Sequence, residues 1–195
     1  MHISLRRSLA IGAAGLLCAA TAFPAAAKTD SEHRGAHHHQ SKGHGQHSNE
    51  PSLRDVRRAT ARFHSIRAAE KAGYQLGYVE PFLLDGCIAH PTDGAMGYHW
   101  FDHDAIADPR VDAHRPEALV YAPTSDGRLR LAAVEWVVPE SVWEAAGNTD
   151  PPTLFDQELH ILNEALGWYI LHAWVWKPNP SGVFADWNPQ VTCPS

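Results

Sequence analysis

The clearest hydrophobic pattern in the chain is a run of aromatic and β-branched residues at 168–176, followed by a Pro/Asn/Gly cluster at 177–182. A run of this kind that ends in turn-forming residues predicts a buried β-strand. Because side chains alternate along a strand, we expect His172 on the same face as Ile170 and Trp174. His172 is therefore either a hydrogen-bonded core histidine or a ligand or acid/base group that lines a pocket.

A β-hairpin is predicted at residues 117–122 and 128–138, joined by the turn-forming sequence at 123–127. Alternation along its second strand puts Glu135 in an otherwise apolar row. The other members of that row are Leu129, Leu131, Ala133 and Val137. A buried carboxylate is unfavourable unless it is paired or coordinates a cation. Glu135 is accordingly either a functional carboxylate or half of a structural pair with an arginine.

Apolar positions at helical spacing between residues 52 and 72 predict one amphipathic helix, capped by Ser52 and ended by Gly73. We also expect a short strand at 76–80 and a helical turn at 139–143. Residues 156–166 fit either a short helix, which would bring Glu158, His160 and Glu164 together, or an ordered loop.

These elements predict an α+β fold with one N-terminal amphipathic helix packed on a mainly antiparallel sheet or partly open barrel, with long ordered loops. The glycine-rich segment at residues 85–98 is typical of a loop that forms a binding or catalytic site. The chain then continues into a short aromatic strand that begins at His99.

The amino terminus has the pattern of a secretory signal peptide over residues 1–27, with Arg6 and Arg7 before an apolar run and small residues before Lys28. Either the general or the twin-arginine export route fits this pattern. The apolar run is short for a membrane span and Cys18 lacks the context of a lipidated cysteine, so we expect no stable membrane anchor. The prediction is a periplasmic or extracellular protein whose residues 52–195 form a single globular domain.

Residues 28–51 have no apolar periodicity and are predicted to be a disordered, His-rich segment. This segment is either an accessory metal-binding tract or a solvated linker, since neutral imidazoles bind divalent metals. The tract histidines are His33, His37, His38, His39, His44 and His47.

Removing residues 1–27 leaves 14 Lys and Arg (16 less Arg6 and Arg7) against 22 Asp and Glu, a formal charge of −8. This acidic balance argues against a nucleic-acid partner. Only Cys87 and Cys193 remain after cleavage, and in an oxidising compartment they are expected to form a disulfide, the alternative being two free thiols.

Several segments of the chain resemble small secreted bacterial proteins of uncharacterised function. The matching segments are Gly86-Cys87-Ile88, Gly94-Ala95-Met96-Gly97-Tyr98-His99-Trp100, Leu119-Val120-Tyr121, Val134-Glu135-Trp136-Val137-Val138-Pro139, Leu171-His172-Ala173-Trp174-Val175-Trp176 and Asn179-Pro180-Ser181-Gly182-Val183-Phe184. The resemblance covers about residues 55–194. It supplies no activity, but it implies that His99, Glu135 and His172 lie in the family's distinctive segments.

Two histidines and one carboxylate are the ligand set of zinc hydrolases and non-haem iron sites. We expect His99, Glu135 and His172 to bind a divalent metal (Zn, Cu, Ni or Fe), with Glu135 catalytic and His160 available as a fourth ligand. Side-chain nitrogens more than ~8 Å from the carboxylate could not share an ion at ligand distances of ~2.0–2.2 Å. The expected partners are the metal ion or a small-molecule ligand.

Three other interpretations remain open at this point. The chain lacks a nucleophile elbow, a phosphate-binding loop and a dinucleotide fingerprint. A carbohydrate- or small-ligand-binding module without metal would use exposed aromatic residues such as Trp187. A glycosidase would pair Glu135 with Asp93 or Asp102. A structural secreted domain would use none of these residues chemically.

Overall fold

The structure of the protein is a computed structural model that describes residues 51–78 and 84–194. The predicted signal peptide and the six tract histidines lie outside the described residues, as do residues 79–83. Within the described stretches, no helix is both long and apolar enough to cross a membrane.

The fold is α+β, as predicted, and is dominated by an open antiparallel sheet of seven strands. The strands of the protein are β1 (Tyr74–Leu76), β2 (Ile88–His90), β3 (Gly94–Asp102), β4 (Ala118–Pro123), β5 (Leu129–Pro139), β6 (Thr153–Leu154), β7 (Gln157–Glu158), β8 (His160–Ile161) and β9 (Trp168–Ala173). In the large sheet the strand order is β1-β3-β4-β5-β9-β8, and β2 also pairs with β3. The strands β6 and β7 form a separate ribbon.

The helices are short: α1 (Leu53–Thr60), α2 (Ile66–Lys71), α3 (His103–Ile106) and α4 (Glu140–Ala145). The prediction of one continuous N-terminal helix is wrong, because a 3₁₀ turn at Ala61–His64 separates α1 from α2. The Phe63 carbonyl in this turn accepts a 2.6 Å hydrogen bond from the Tyr121 hydroxyl, and the Ser65 side chain caps α2. A tertiary hydrogen bond and a local cap therefore replace helical continuity.

Two other boundaries differ from the sequence predictions. The strand predicted at residues 168–176 ends at Ala173, and the Trp174 N–H then donates to the Val183 carbonyl. Residues 156–166 contain β7 and β8 rather than a helix, since Phe155 and Asp156 adopt positive φ and turn the chain between two strands.

The two faces of the sheet are covered differently. One face, the helix face, packs Trp136, Tyr121 and neighbouring residues against Val56, Phe63 and Ala69 of the N-terminal helical region. Burial of this contiguous apolar cluster holds the helices on the sheet. The opposite face is covered by loop segments, and His99, Glu135 and His172 project from it.

A β-bulge interrupts β5 below Glu135. Val120 pairs with Ala133, whereas the next residue, Tyr121, pairs with Leu131, so Ala132 is an extra residue in β5. Such an insertion reverses the direction of side chains on one side of the bulge relative to the other.

The bulge corrects the predicted row of residues around Glu135. Leu129 and Leu131 pack with the helix-face cluster, while Ala133 and Val137 stay on the opposite face with Glu135. The prediction is right for the residues nearest the carboxylate and wrong beyond the bulge.

The carboxyl-terminal segment is fixed over the opposite face. Asn188 forms a two-way backbone bridge with Ala95, and the Trp174 indole donates to the Ala185 carbonyl. The predicted disulfide between Cys87 and Cys193 is confirmed, with Cα atoms 5.7 Å apart. These links position residues 183–188 and the segment before β2 above the sheet.

Candidate metal centre

Glu135 and His172 are held next to each other by strand pairing. They occupy directly opposed positions on β5 and β9. Directly opposed residues on one face have Cβ atoms only ~4.5–5.5 Å apart, so the sheet itself brings the carboxylate to the imidazole.

His99 reaches the same point from β3, on the far side of β4. Ala118 pairs with both Phe101 and Glu135, and His99 pairs with Val120 in the neighbouring row. Because Ala118 has only a methyl group, the imidazole of His99 can extend over β4 toward the carboxylate. The small residue in β4 thus makes the approach possible.

The Glu135 carboxylate lies between the two imidazoles. His99 Nε2 is 3.7 Å from Glu135 Oε2, and His172 Nδ1 is 3.7 Å from Glu135 Oε1. One ligand atom from each residue lies within 4.8 Å of the others. Two ligands at ~2.1 Å from a tetrahedral ion are ~3.4 Å apart, so rotation of the imidazoles would complete a shared site.

The two histidines are not satisfied by hydrogen bonds. Both ring nitrogens of His99 and of His172 are buried, and none makes a hydrogen bond of normal geometry with a described residue, although the Gly97 backbone is near enough to His99 to oppose the lowering of its pKa. The 3.7 Å contacts with Glu135 are longer than hydrogen bonds. Buried polar atoms without partners are rare, and each lost partner is unfavourable by about 1–3 kcal/mol. This observation argues against the interpretation of His172 as a hydrogen-bonded core histidine.

Burial also sets the charge state of the group. His172, His99 and Glu135 are 0%, 1% and 5% exposed. Burial lowers the pKa of His99 to about 4, against the opposing effect of Glu135, and burial lowers the pKa of His172 to about 4. Burial raises the pKa of Glu135, a shift that His99 opposes. Near neutral pH both imidazoles are consequently in the neutral form that binds metals.

His160 does not join this group. Its Nε2 atom is 3.1 Å from Asp186 Oδ2, and its side chain is 45% exposed. His160, on the edge strand β8, thus contacts the Asp186 carboxylate instead of acting as the expected fourth ligand. His160 still lies close enough to lower the pKa of Glu135.

Asp186 is a residue of the site that sequence reasoning missed. Its Oδ1 atom is buried without a hydrogen-bond partner among the described residues. Its negative charge raises the pKa of both His172 and Glu135, so the carboxylate lies within electrostatic range of both. A carboxylate beside metal-binding histidines typically orients them and strengthens metal binding.

A cavity of about 540 Å³ extends from the centre to the surface. His99 and Glu135 line its buried end, whereas Leu162 and Glu164 are exposed at its mouth. Met96 lines the same cavity because a bulge in β3 opposite β2 changes the alternation of side chains. The cavity therefore extends inward to two of the three candidate ligands.

The alternative pairings considered from sequence are not formed in the described part of the chain. Glu135 makes no ion pair with an arginine there, and the side chains beside its carboxylate are the imidazoles of His99 and His172. Asp102 instead caps α3 and pairs with Arg115, and Asp93 contacts His90 at the surface. Trp187 forms part of the cavity wall. Neither aspartate is placed to act with Glu135 in a glycosidase.

Comparisons with protein-family models, with curated proteins and with solved structures found no match to this chain. The fold and the buried group define a candidate metal-binding α+β protein, and its function is inferred from the site alone.

Proposed function

We propose that this chain is an exported protein that binds one divalent transition-metal ion through His99, Glu135 and His172. The observation that carries the proposal is the set of four unpartnered ring nitrogens on either side of a buried carboxylate. A divalent ion gives one nitrogen of each imidazole a partner and compensates the carboxylate charge.

The proposed ion would keep coordination positions open toward the cavity. Three protein ligands leave room for water or a substrate oxygen, as in zinc hydrolases and non-haem iron oxygenases. Zn, Fe, Ni and Cu all accept this ligand set, and the ion would polarise an oxygen bound beside it. Glu135 acts in this scheme as a ligand, and Glu164 at the cavity mouth is the other carboxylate lining the cavity.

Export is supported by the confirmed disulfide, since such bonds persist in oxidising compartments. It is also supported by the signal-peptide pattern at residues 1–27. Together, these features favour a protein that acts outside the cytoplasm and carries out a reaction on a small molecule at its buried metal centre.

The decisive experiment measures metal content without a contribution from the His-rich tract. We define the tract variant as the mature chain in which the six tract histidines are replaced by asparagine. After equilibrium dialysis against Zn²⁺, Cu²⁺, Ni²⁺ or Fe²⁺, it should retain about one ion per chain for at least one metal. His172→Asn in this background should abolish retention, while His114→Asn, a change at an exposed histidine paired with Asp112, should not. Absence of bound metal in the folded tract variant would refute the proposal.

A further inference from the structure

The cavity above the candidate centre has an apolar wall over most of its depth. Its inner part is lined by the buried side chains of Met96, Phe101, Trp168 and Ile170. Nearer the surface, half-buried apolar residues continue this lining. These are Leu84, Ile88, Leu166 and Trp187. A ligand that enters the cavity therefore exchanges water for aliphatic and aromatic contacts along its body.

The charged groups that line the cavity are unevenly distributed. No lysine or arginine from the described part of the chain lines it, and the carboxylates are Glu135 at the inner end and Glu164 at the mouth. His90 also lines the cavity and is near Asp93. The cavity thus offers an anionic ligand no permanent positive side chain.

The bound metal would supply the missing positive charge. A divalent ion and its three proposed ligands, two neutral imidazoles and one carboxylate, carry a net charge of +1 in a buried, largely apolar setting. The Asp186 carboxylate, which also acts on this group, is hydrogen-bonded to His160. An uncompensated charge there is unfavourable, so an anionic oxygen donor is preferred over a neutral or cationic group. One negative charge balances the net charge of the ion and its three ligands.

We infer that the cavity binds a small monocarboxylate with an apolar aliphatic or aromatic body, whose carboxylate oxygen coordinates the metal. This inference rests on the proposed metal site and specifies its ligand class. The apolar body lies against Phe101, Trp168 and Ile170, and the carboxylate completes the coordination of the ion beside His99 and Glu135. Glu164 at the mouth disfavours dianions, because a second negative group would lie in the acidic outer part of the cavity.

Binding can be measured by calorimetry on the metal-loaded tract variant, supported by tryptophan fluorescence from Trp168 and Trp187. Three probes share one body and differ in the head group: 3-phenylpropionate, 3-phenylpropanol and 3-phenylpropylamine. Acetate tests the head group without the body. We expect 3-phenylpropionate to bind at least about tenfold more tightly than each of the other three, and at least about tenfold more tightly to the metal-loaded protein than to the metal-free protein.

Two matched variants test the location of binding. Leu162→Asp adds a carboxylate at the cavity mouth and should lower the affinity for 3-phenylpropionate several-fold. Leu76→Asp makes the same change at a leucine that is similarly exposed, 46% against 41%, but does not line the cavity. Leu76→Asp should leave affinity unchanged.

The possible outcomes separate this inference from the proposed function. If the ion binds but all three phenylpropyl probes bind equally or none binds, the monocarboxylate inference is overturned and the metal site stands. If 3-phenylpropionate binds equally with and without metal, coordination is refuted. If metal analysis finds no bound ion, both proposals fall.

Discussion

Glu135 and His172 are direct cross-strand neighbours, and the two oxygens of the Glu135 carboxylate face two different imidazoles at the same distance of 3.7 Å. The arrangement is set by strand register and not by a flexible loop. A metal site built on a rigid sheet in this way requires little reorganisation when the ion binds.

Replacing Glu135 by Gln in the tract variant should remove metal binding while the fold persists. Gln is close to Glu in size and shape, and burial, which raises the pKa of Glu135, already disfavours its charged form, so the neutral amide is a mild change in the metal-free protein. Metal at 100 times its Kd should stabilise the parent by about 2.7 kcal/mol. Chemical denaturation with and without metal should show no such gain in Glu135→Gln.

The control for this experiment is Glu164→Gln, which removes an exposed carboxylate at the mouth of the same cavity. The Glu164→Gln variant should still be stabilised by bound metal to the same extent as the parent. A Glu135→Gln protein that still gains about 2.7 kcal/mol would contradict the role of Glu135 as a ligand.

Replacing Asp186 by Asn should weaken metal binding by about 10- to 100-fold without abolishing it. The Asp186 charge acts on His172 and Glu135, and its buried Oδ1 atom is available to a neighbouring donor. Competition titration with a metal chelator measures the change in Kd. Asp150→Asn, at an exposed position, should leave the Kd unchanged. Equal Kd values for the parent and Asp186→Asn would show that Asp186 has no part in the site.

Replacing Gly97 by Ala should destabilise the protein by more than the ~1–3 kcal/mol of unfavourable backbone conformation alone. Gly97 has φ of +120°, and a Cβ atom there would lie 2.5 Å from the Tyr121 carbonyl oxygen. Gly127→Ala is the matched control, with φ of +76° and no atom within 4 Å of the added carbon. The free energies of unfolding of both variants separate backbone strain from steric overlap, and similar values would contradict the overlap.

Glu117 should make the protein less stable as the pH rises from about 4.5 to about 8. Burial raises the pKa of Glu117 from its ordinary value of 4.5 to about 8, although one carboxyl oxygen accepts from the Val137 N–H. Between these values the unfolded chain releases a proton that the folded protein retains, so unfolding becomes easier as the pH increases. Above about pH 8 this contribution is lost completely.

Glu117→Gln isolates this effect from all other titrating groups. Gln keeps a carbonyl oxygen that can accept from the Val137 N–H, and it cannot ionise. The stability of the Glu117→Gln variant relative to the parent should therefore increase from pH 4.5 to pH 8. Urea denaturation across this range gives the difference. A constant difference between the two proteins would show that Glu117 has the same pKa folded and unfolded.

The sequence predicted the parts of the site that depend on short-range alternation. His172 shares a face with Ile170 and Trp174, and Glu135 lies in a buried row, because a period of two is visible along each strand. The convergence of His99 with these residues depends on strand order and on the small Ala118 in β4. Both are long-range properties that a local pattern does not encode.

The features that the sequence did not predict depend on tertiary contacts. The bulge at Ala132 changes the face of Leu129 and Leu131, and no local residue pattern marks it. The break between α1 and α2 depends on a hydrogen bond from Tyr121, far along the chain. Asp186 was not singled out from the sequence, although an acidic residue between Ala185 and Trp187 in an aromatic segment is a usable signal.

The late position of β9 in the chain determines when the metal centre can form. His172 enters the sheet between β5 and β8, after the chain that contains His99 and Glu135 has already been made. Pairing over such sequence separations is slow compared with local helix formation. We therefore expect ion uptake to be the final maturation step of an already assembled protein, with the apolar cavity as the entry route, and the ion to have no role in nucleating the fold.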